Sequence, residues 1–162
     1  MIEGFDRWAT VTAIAATGLM AGFFFAYSTI TMSGLRAAPG AVGLRAMQDI
    51  NRAADRSPLL MLGLFGTMVV AIILGVRALG RLDETAAVLQ LVAGILYIVG
   101  AIVLTMVYHV PRNNALLRLD PDAPASIDAW RHYASTWTAW NHVRTVLPLV
   151  STVLYTLSLR TT

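Results

Sequence analysis

Apolar residues gather along this chain in four long stretches, at residues 8–33, 58–76, 85–108 and 143–159, and the polar positions collect in the three connectors between them. Each stretch is about 17 to 25 residues long, enough to cross a hydrocarbon layer of about 30 Å as a helix. In lipid every backbone polar group must find its partner within the protein, so runs of this kind predict helices and not strands. The fold class expected is all-α: an integral membrane four-helix bundle forming a single domain over residues 1–162. Ser57 as N-cap and Pro58 at the first helical position mark the start of the second span. The connector after it is tight, only about eight residues, which makes spans two and three antiparallel neighbours, with Asp83 as the cap of span three.

The other two connectors carry the densest set of Asn, Arg, His and Trp in the chain. Each is expected to hold a short amphipathic helix. In AMQDINRA, residues 46–53, Met47 and Ile50 together with Ala54 make an apolar face, and Gln48, Asn51, Arg52 and Asp55 a polar one. Residues 126–136, with His132, form the second. HVPRNNAL, residues 109–116, leaves span three. Pro111 disfavours helix at Val110, so the span should end there and turn back, with Asn113 and Asn114 free to bond a ligand or to cap a short helix over 115–119. WTAWNHVRT, residues 137–145, runs straight into span four. At about 100° per residue, Asn141, His142, Arg144, Thr138 and Thr145 share an arc of roughly 160°, flanked by Trp137 and Trp140. Amide and ionisable groups at membrane depth cost several kcal/mol unless they are paired or used, which makes this face a candidate site. Pro148, four residues on, cannot donate to the Arg144 carbonyl and leaves an acceptor free beside it.

Composition narrows the chemistry. The absence of cysteine excludes disulfides, thiolate catalysis and cysteine-bound metal centres. All 12 basic residues are Arg, and the net charge of +3 is spread along the chain, so no basic stripe exists to hold nucleic acid. Glu3 and Asp6 precede a first span longer than a secretory signal, which is read as a retained helix. The long connectors hold Arg36, Arg45, Arg52, Arg56, Arg112, Arg118 and Arg131, with Arg144 just beyond, against Arg7, Arg77, Arg81 and Arg160 on the opposite side. By the positive-inside rule the motif-bearing connectors are cytoplasmic. The all-Arg, Ala-rich bias is that of a GC-rich bacterial genome, which gives a multi-pass protein of the bacterial cytoplasmic (inner) membrane. Gly18, Gly22 and Ala26 recur every fourth position on span one, a seam either for packing inside the bundle or for a homo-oligomer.

The Gly-rich first span, the MQDIN piece, the proline with paired Asn at 111–114 and above all the WNHVRT run at 140–145 together resemble the anthrone oxygenase-like family of small integral membrane proteins, over nearly the whole chain. The resemblance implies a four-helix membrane oxygenase that oxidises a flat aromatic substrate, of anthrone or hydroquinone type, with O2 as co-substrate at a polar site on one membrane face. Where the family pattern more usually has Asn before Val-Pro, this chain has His109; the base is therefore expected at His142. Removing the acidic benzylic proton of an anthrone gives an electron-rich anthranolate, so a base and oxyanion donors suffice for the chemistry. Asn113, Asn114, Asn141 and Arg144 are the expected donors, and Trp137, Trp140, Tyr108, Asn51 and His109 the expected substrate contacts. No resident cofactor is assigned. Haem or copper held by His109, His132 and His142 is the alternative, although no paired metal-ligand motif supports it. A non-catalytic membrane subunit that holds a lipid or quinone headgroup is the remaining class.

Overall fold

The computed structural model describes residues 2–161, and every regular element among them is helical. Helix α1 runs over Ile2–Ala26, widens into a π-helical stretch at Tyr27–Thr31 and ends as Met32–Ala37. Helix α2 is Gly40–Asp55. Helix α3 begins as Pro58–Met61, passes through π-helical Leu62–Gly66 and continues as Thr67–Ala78. Helix α4 comprises Thr85–Tyr97, the π-helical stretches Ile98–Val103 and Thr105–His109, and Val110–Leu116. Helix α5 is Pro124–Ser158, 35 residues without a break.

Three of these helices are long and apolar enough to cross a membrane, over Gly4–Ala37, Pro58–Ala78 and Thr85–Leu116. The fourth expected span is different. It is the second half of α5, where Arg144, Thr145, Ser151, Thr152, Thr156 and Ser158 dilute the apolar run, and α5 does not qualify by length and composition. It is nevertheless the most embedded element: α5 packs along α1 on one side and α4 on the other, and α3 joins α4 to α1. The polarity of the molecule is inverted relative to a water-soluble bundle. Leu19, Ile30, Leu62 and Val107 are largely exposed, while Thr10, Thr17, Gln90 and Ser151 are buried. The hydroxyls of Thr10, Thr17 and Ser151 are satisfied by carbonyls or by another hydroxyl, at Thr10 to Asp6 O (2.8 Å), Thr17 to Ala13 O (2.7 Å), Ser151 to Ala93 O (2.8 Å) and Thr17 to Thr152 (2.8 Å).

Opposite ends of the molecule are fastened differently. At one end Asp6 of α1 accepts a hydrogen bond from Arg77 Nε (2.5 Å) and forms an ion pair with Arg81 Nη2 (2.9 Å), which ties α1 to the tight α3–α4 connector. At the other end α2 lies across the bundle, and the Gln48 amide donates to the carbonyls of Leu116 (3.0 Å) and Leu119 (2.9 Å) just past α4. A core cluster including Met32, Leu44, Met47, Leu116, Trp130 and Trp137 fills the space beneath α2.

Several boundaries move from their expected places, each for a local reason. Span three does not stop at Val110. Val110 N–H bonds the Thr105 carbonyl five residues back, and Pro111 then sits in the first turn of the next α-helical piece, where its missing N–H breaks no bond. The separate amphipathic helix at 126–136 and span four are one helix. Buried Trp130, Tyr133, Trp137, Asn141, Arg144 and Pro148 keep a continuous three-to-four spacing with no breaker between them. Asp83 is not the cap of α4: Glu84 holds that position without a side-chain cap bond. Ser57 caps α3 as expected, its Oγ accepting from Leu60 N at 3.2 Å. In α2, Gln48 and Asn51 of the polar face are buried, because the helix turns that edge onto α4 and α5, while Arg52 and Asp55 of the same face are exposed. On α1, Gly18 packs against Thr152 of α5, whereas Gly22 faces open space.

Candidate functional site

Helices α3 and α4 pack closely near their short connector and have few contacts between the Pro58 end of α3 and the Leu116 end of α4. A cavity of about 280 Å³ occupies the end of the bundle where they part, with α1, α2 and α5 completing its walls. That is just below the roughly 300–1,000 Å³ of typical small-molecule pockets. Its walls are largely aromatic and thioether: Phe23, Phe24, Tyr27, Phe65, Trp137 and the three methionines Met47, Met61 and Met106. Three of the four π-helical stretches border it, contributing Tyr27, Leu64, Phe65, Thr105, Met106 and His109. A widened turn re-aims side chains and frees carbonyls, and such turns are frequent at functional sites. One freed pair is used structurally, for the Tyr97 hydroxyl donates to Leu64 O (3.0 Å) and Gly63 O (3.3 Å).

Four polar side chains, all more than nine-tenths buried, break this apolar lining: His109, Asn51, Asn141 and Arg144. His109 Nδ1 lies 3.2 Å from the Leu104 carbonyl. A carbonyl only accepts, so the neutral tautomer that bonds Leu104 carries its proton on Nδ1 and its lone pair on Nε2, which is buried without a hydrogen-bond partner. Trp137 stands edge-on to the imidazole, 5.1 Å between centroids. The Arg144 guanidinium rests 4.0 Å above the Phe24 ring and makes no ion pair or hydrogen bond among the described residues. The Asn141 amide nitrogen donates to Phe24 O (2.8 Å) and Ser28 Oγ (2.7 Å), and its Oδ1 has no partner. Asn51 has the complementary vacancy, a buried Nδ2 with no acceptor.

A second layer holds these groups. Asn113 Oδ1 accepts from the Tyr133 hydroxyl (2.8 Å) and from Trp137 Nε1 (3.1 Å), which fixes the indole that faces His109. Burial raises the Tyr133 pKa above that of an ordinary phenol, so this hydroxyl stays a donor.

A family model described as anthrone oxygenase matches residues 58–154, more than half of the chain. The chain belongs to the anthrone oxygenase family. No curated protein and no solved structure matches it. The matched region contains α3, α4 and most of α5, and therefore His109, Asn113, Trp137, Asn141 and Arg144. The remaining cavity residues, Phe24 and Asn51 among them, come from α1 and α2 outside it.

Within this anthrone oxygenase-family chain the sequence motifs separate into residues the fold brings together and residues it leaves out. Asn51, His109, Asn113, Trp137, Asn141 and Arg144 meet at the cavity. His142 does not. It is exposed, because one residue along a helix turns about 100° and the Asn141–Arg144 side is the one that faces inward. Asn114 is likewise exposed, one position beyond inward-facing Asn113. Tyr108 and Trp140 stack on each other at 4.9 Å outside the cavity lining, with Arg112 3.5 Å over the tyrosine ring. Asn141 cannot serve as an oxyanion donor, since both of its amide hydrogens are engaged by α1. His109, His132 and His142 do not converge: His132 and His142 are exposed while His109 is buried, and ten residues of helix put about 15 Å between the first two. Among the described residues no group of three His, Cys, Asp or Glu is placed to hold a metal ion. Sequence reasoning missed Ser28, Phe24 and Tyr133. The visible signal for Ser28 was the run of hydroxyls Tyr27, Ser28 and Thr29 inside an apolar span, with Ser28 four residues after the aromatic that cradles Arg144.

Proposed function

We propose that this protein oxidises a flat aromatic substrate of the anthrone type with O2 at the cavity, from within the bacterial inner membrane. One juxtaposition carries the reading: the His109 lone pair and the unpaired Arg144 guanidinium line the same aromatic chamber. The methylene opposite the ketone of an anthrone is acidic because its conjugate base is a delocalised oxyanion. His109 Nε2 takes that proton, and Arg144 pairs with the oxyanion, an interaction strengthened by the dry surroundings. The electron-rich carbon then gives its electrons to O2 one at a time, a C–O bond forms, and protonation leaves a hydroperoxide. Loss of the second proton from the same carbon to His109 breaks the O–O bond, expels hydroxide and leaves a carbonyl. The balance is anthrone plus O2 to anthraquinone plus water. Phe24, Tyr27, Phe65 and Trp137 offer flat faces for such a ring system.

Purified protein in lipid nanodiscs, given anthrone, should consume one O2 for each anthraquinone formed, above the rate in empty nanodiscs. Arg144→Gln should lower that rate by about 10²-fold or more, as for loss of an oxyanion donor. Binding of anthrone without acceleration would make the protein a binding subunit. A rate abolished by chelation and restored by metal would move the chemistry onto a metal ion.

A further inference from the structure

The orientation of the Asn141 side chain is set by two groups of α1. The Phe24 carbonyl and the Ser28 hydroxyl, on successive turns of α1, both face its amide nitrogen at 2.8 and 2.7 Å. Because a carbonyl can only accept, the nitrogen must point to α1 and the carbonyl oxygen must point away from it. That oxygen is fully buried, has no partner and belongs to a residue lining the cavity. A buried acceptor left empty is costly, and the cavity beside it is mainly apolar, its other polar lining residues being Asn51, Asp55, Thr105, His109, Asn113 and Arg144. The fixed acceptor therefore matches a ligand that brings its own O–H or N–H to this wall.

We propose that Asn141 Oδ1 is a specificity-determining acceptor that selects aromatic ligands carrying a hydroxyl over the same ring systems without one, with Ser28 as its positioning residue. The proposal deepens the oxygenase reading, since it concerns the same cavity, but it requires only binding and no turnover. Asn141 and Arg144 are three residues apart on the inward face of α5, so a ligand that satisfies both presents an anionic or carbonyl oxygen and a hydroxyl along one side. A site built to pair with a polar group rejects the analogue that lacks it more strongly than an apolar pocket rejects a missing methylene.

The test uses three stable tricyclic probes: anthraquinone, hydroxyanthraquinone (with the hydroxyl at position 1 or position 2) and the corresponding methoxyanthraquinone. Binding to the protein in nanodiscs is read by quenching of tryptophan fluorescence, with affinities corrected for partition into empty nanodiscs. Wild type should favour at least one hydroxy isomer over both anthraquinone and its methoxy analogue by about tenfold or more. Asn141→Leu should erase that preference while binding anthraquinone at least as well, and Ser28→Ala should weaken it. If neither hydroxy isomer gains over anthraquinone in wild type, or if Asn141→Leu keeps the preference, the proposal is overturned. The wild-type series decides by itself should the leucine variant fail to fold. A protein that shows the preference yet consumes no O2 with anthrone would leave the acceptor in place and remove the oxygenase reading; turnover without preference would do the reverse.

Discussion

His109 and His142 present opposite cases at the scale of single residues. The first is buried with its Nε2 lone pair unused, the second lies on the exposed side of α5. His109→Ala is expected to lower anthrone turnover by about 10² to 10⁴ fold with the fold intact, the range for loss of a general base, and His142→Ala to leave it nearly unchanged. Steady-state rates beside helical circular dichroism measure both, and equal losses would exclude His109 as the base. The paired asparagines divide in the same way. Asn113→Ala leaves two buried donors, Tyr133 Oη and Trp137 Nε1, without their acceptor and should cost about 1 to 3 kcal/mol of stability. Asn114→Ala should cost almost nothing, and denaturation in detergent compares the two. These residues also mark the limit of reading the sequence. The WNHVRT and PRNN motifs pointed to the right place, since polar groups in a membrane-like stretch are expensive. The choice within each motif depended on helix phase, and one residue of phase separates His142 from the inward face. Nothing local to His109 announced its burial, which comes from α5 and α1 closing over it.

The helices owe their bounds to features that propensity does not show. Four π-helical stretches interrupt the long helices, and no residue pattern marks them: Leu62–Gly66 holds two glycines, but Tyr27–Thr31 holds none. Three of them border the cavity and the fourth, Ile98–Val103, packs against α5, each absorbing an extra residue in its helix. Gly100, inside one of them, shows how close the approach is. A methyl group there would stand 2.5 Å from Leu147 Cβ on α5. Gly100→Ala should therefore destabilise the protein by about 1 to 3 kcal/mol through overpacking, whereas Gly22→Ala, which meets nothing within 4 Å, should be silent in the monomer. Thermal melts of the two variants separate these expectations. Gly22 also tests the small-residue seam. If a homo-oligomer forms through Gly18, Gly22 and Ala26, then Gly22→Leu should shift the particle mass in detergent while leaving the melt of the monomer unchanged. The pairing of α3 with α4 was legible because a tight connector dictates it. The fusion of the third connector's helix with the last span was not, since the change from amphipathic to apolar composition at Val143 looks like a boundary and is none in the backbone.

Across the whole molecule the open question is whether α5 crosses the membrane with the other three long helices. Its composition speaks against a span, because its second half carries six polar residues from Arg144 to Ser158. Its packing speaks for one. Trp137 belongs to the cluster with Met32, Leu44 and Leu116 at the cavity end, and Tyr155 to the cluster with Ala13, Leu74 and Ala93 near the Asp6–Arg77–Arg81 end. A helix of 35 residues is about 52 Å long at about 1.5 Å per residue, and these two anchors lie at opposite ends of the bundle. Arg144, Thr145, Ser151 and Ser158 are buried inside the bundle, so most of the polar residues of this half face the other helices, while Val146, Leu149 and Val153 face outward. Were α5 to cross as well, both chain ends would share one side with the connector at residues 79–84, and α2 and the turn at residues 117–123 would share the other, which the arginine count predicts to be cytoplasmic. Reporter fusions at Asp83 and after Thr161 should report the same compartment, and a fusion at Asp120 the opposite one. If Asp83 and Asp120 differ while Thr161 agrees with Asp120, three helices cross and α5 enters and returns on the cavity side. The substrate would then be met by a half-inserted helix, and the cavity around His109 and Arg144 would have to be abandoned as a site inside a four-span bundle.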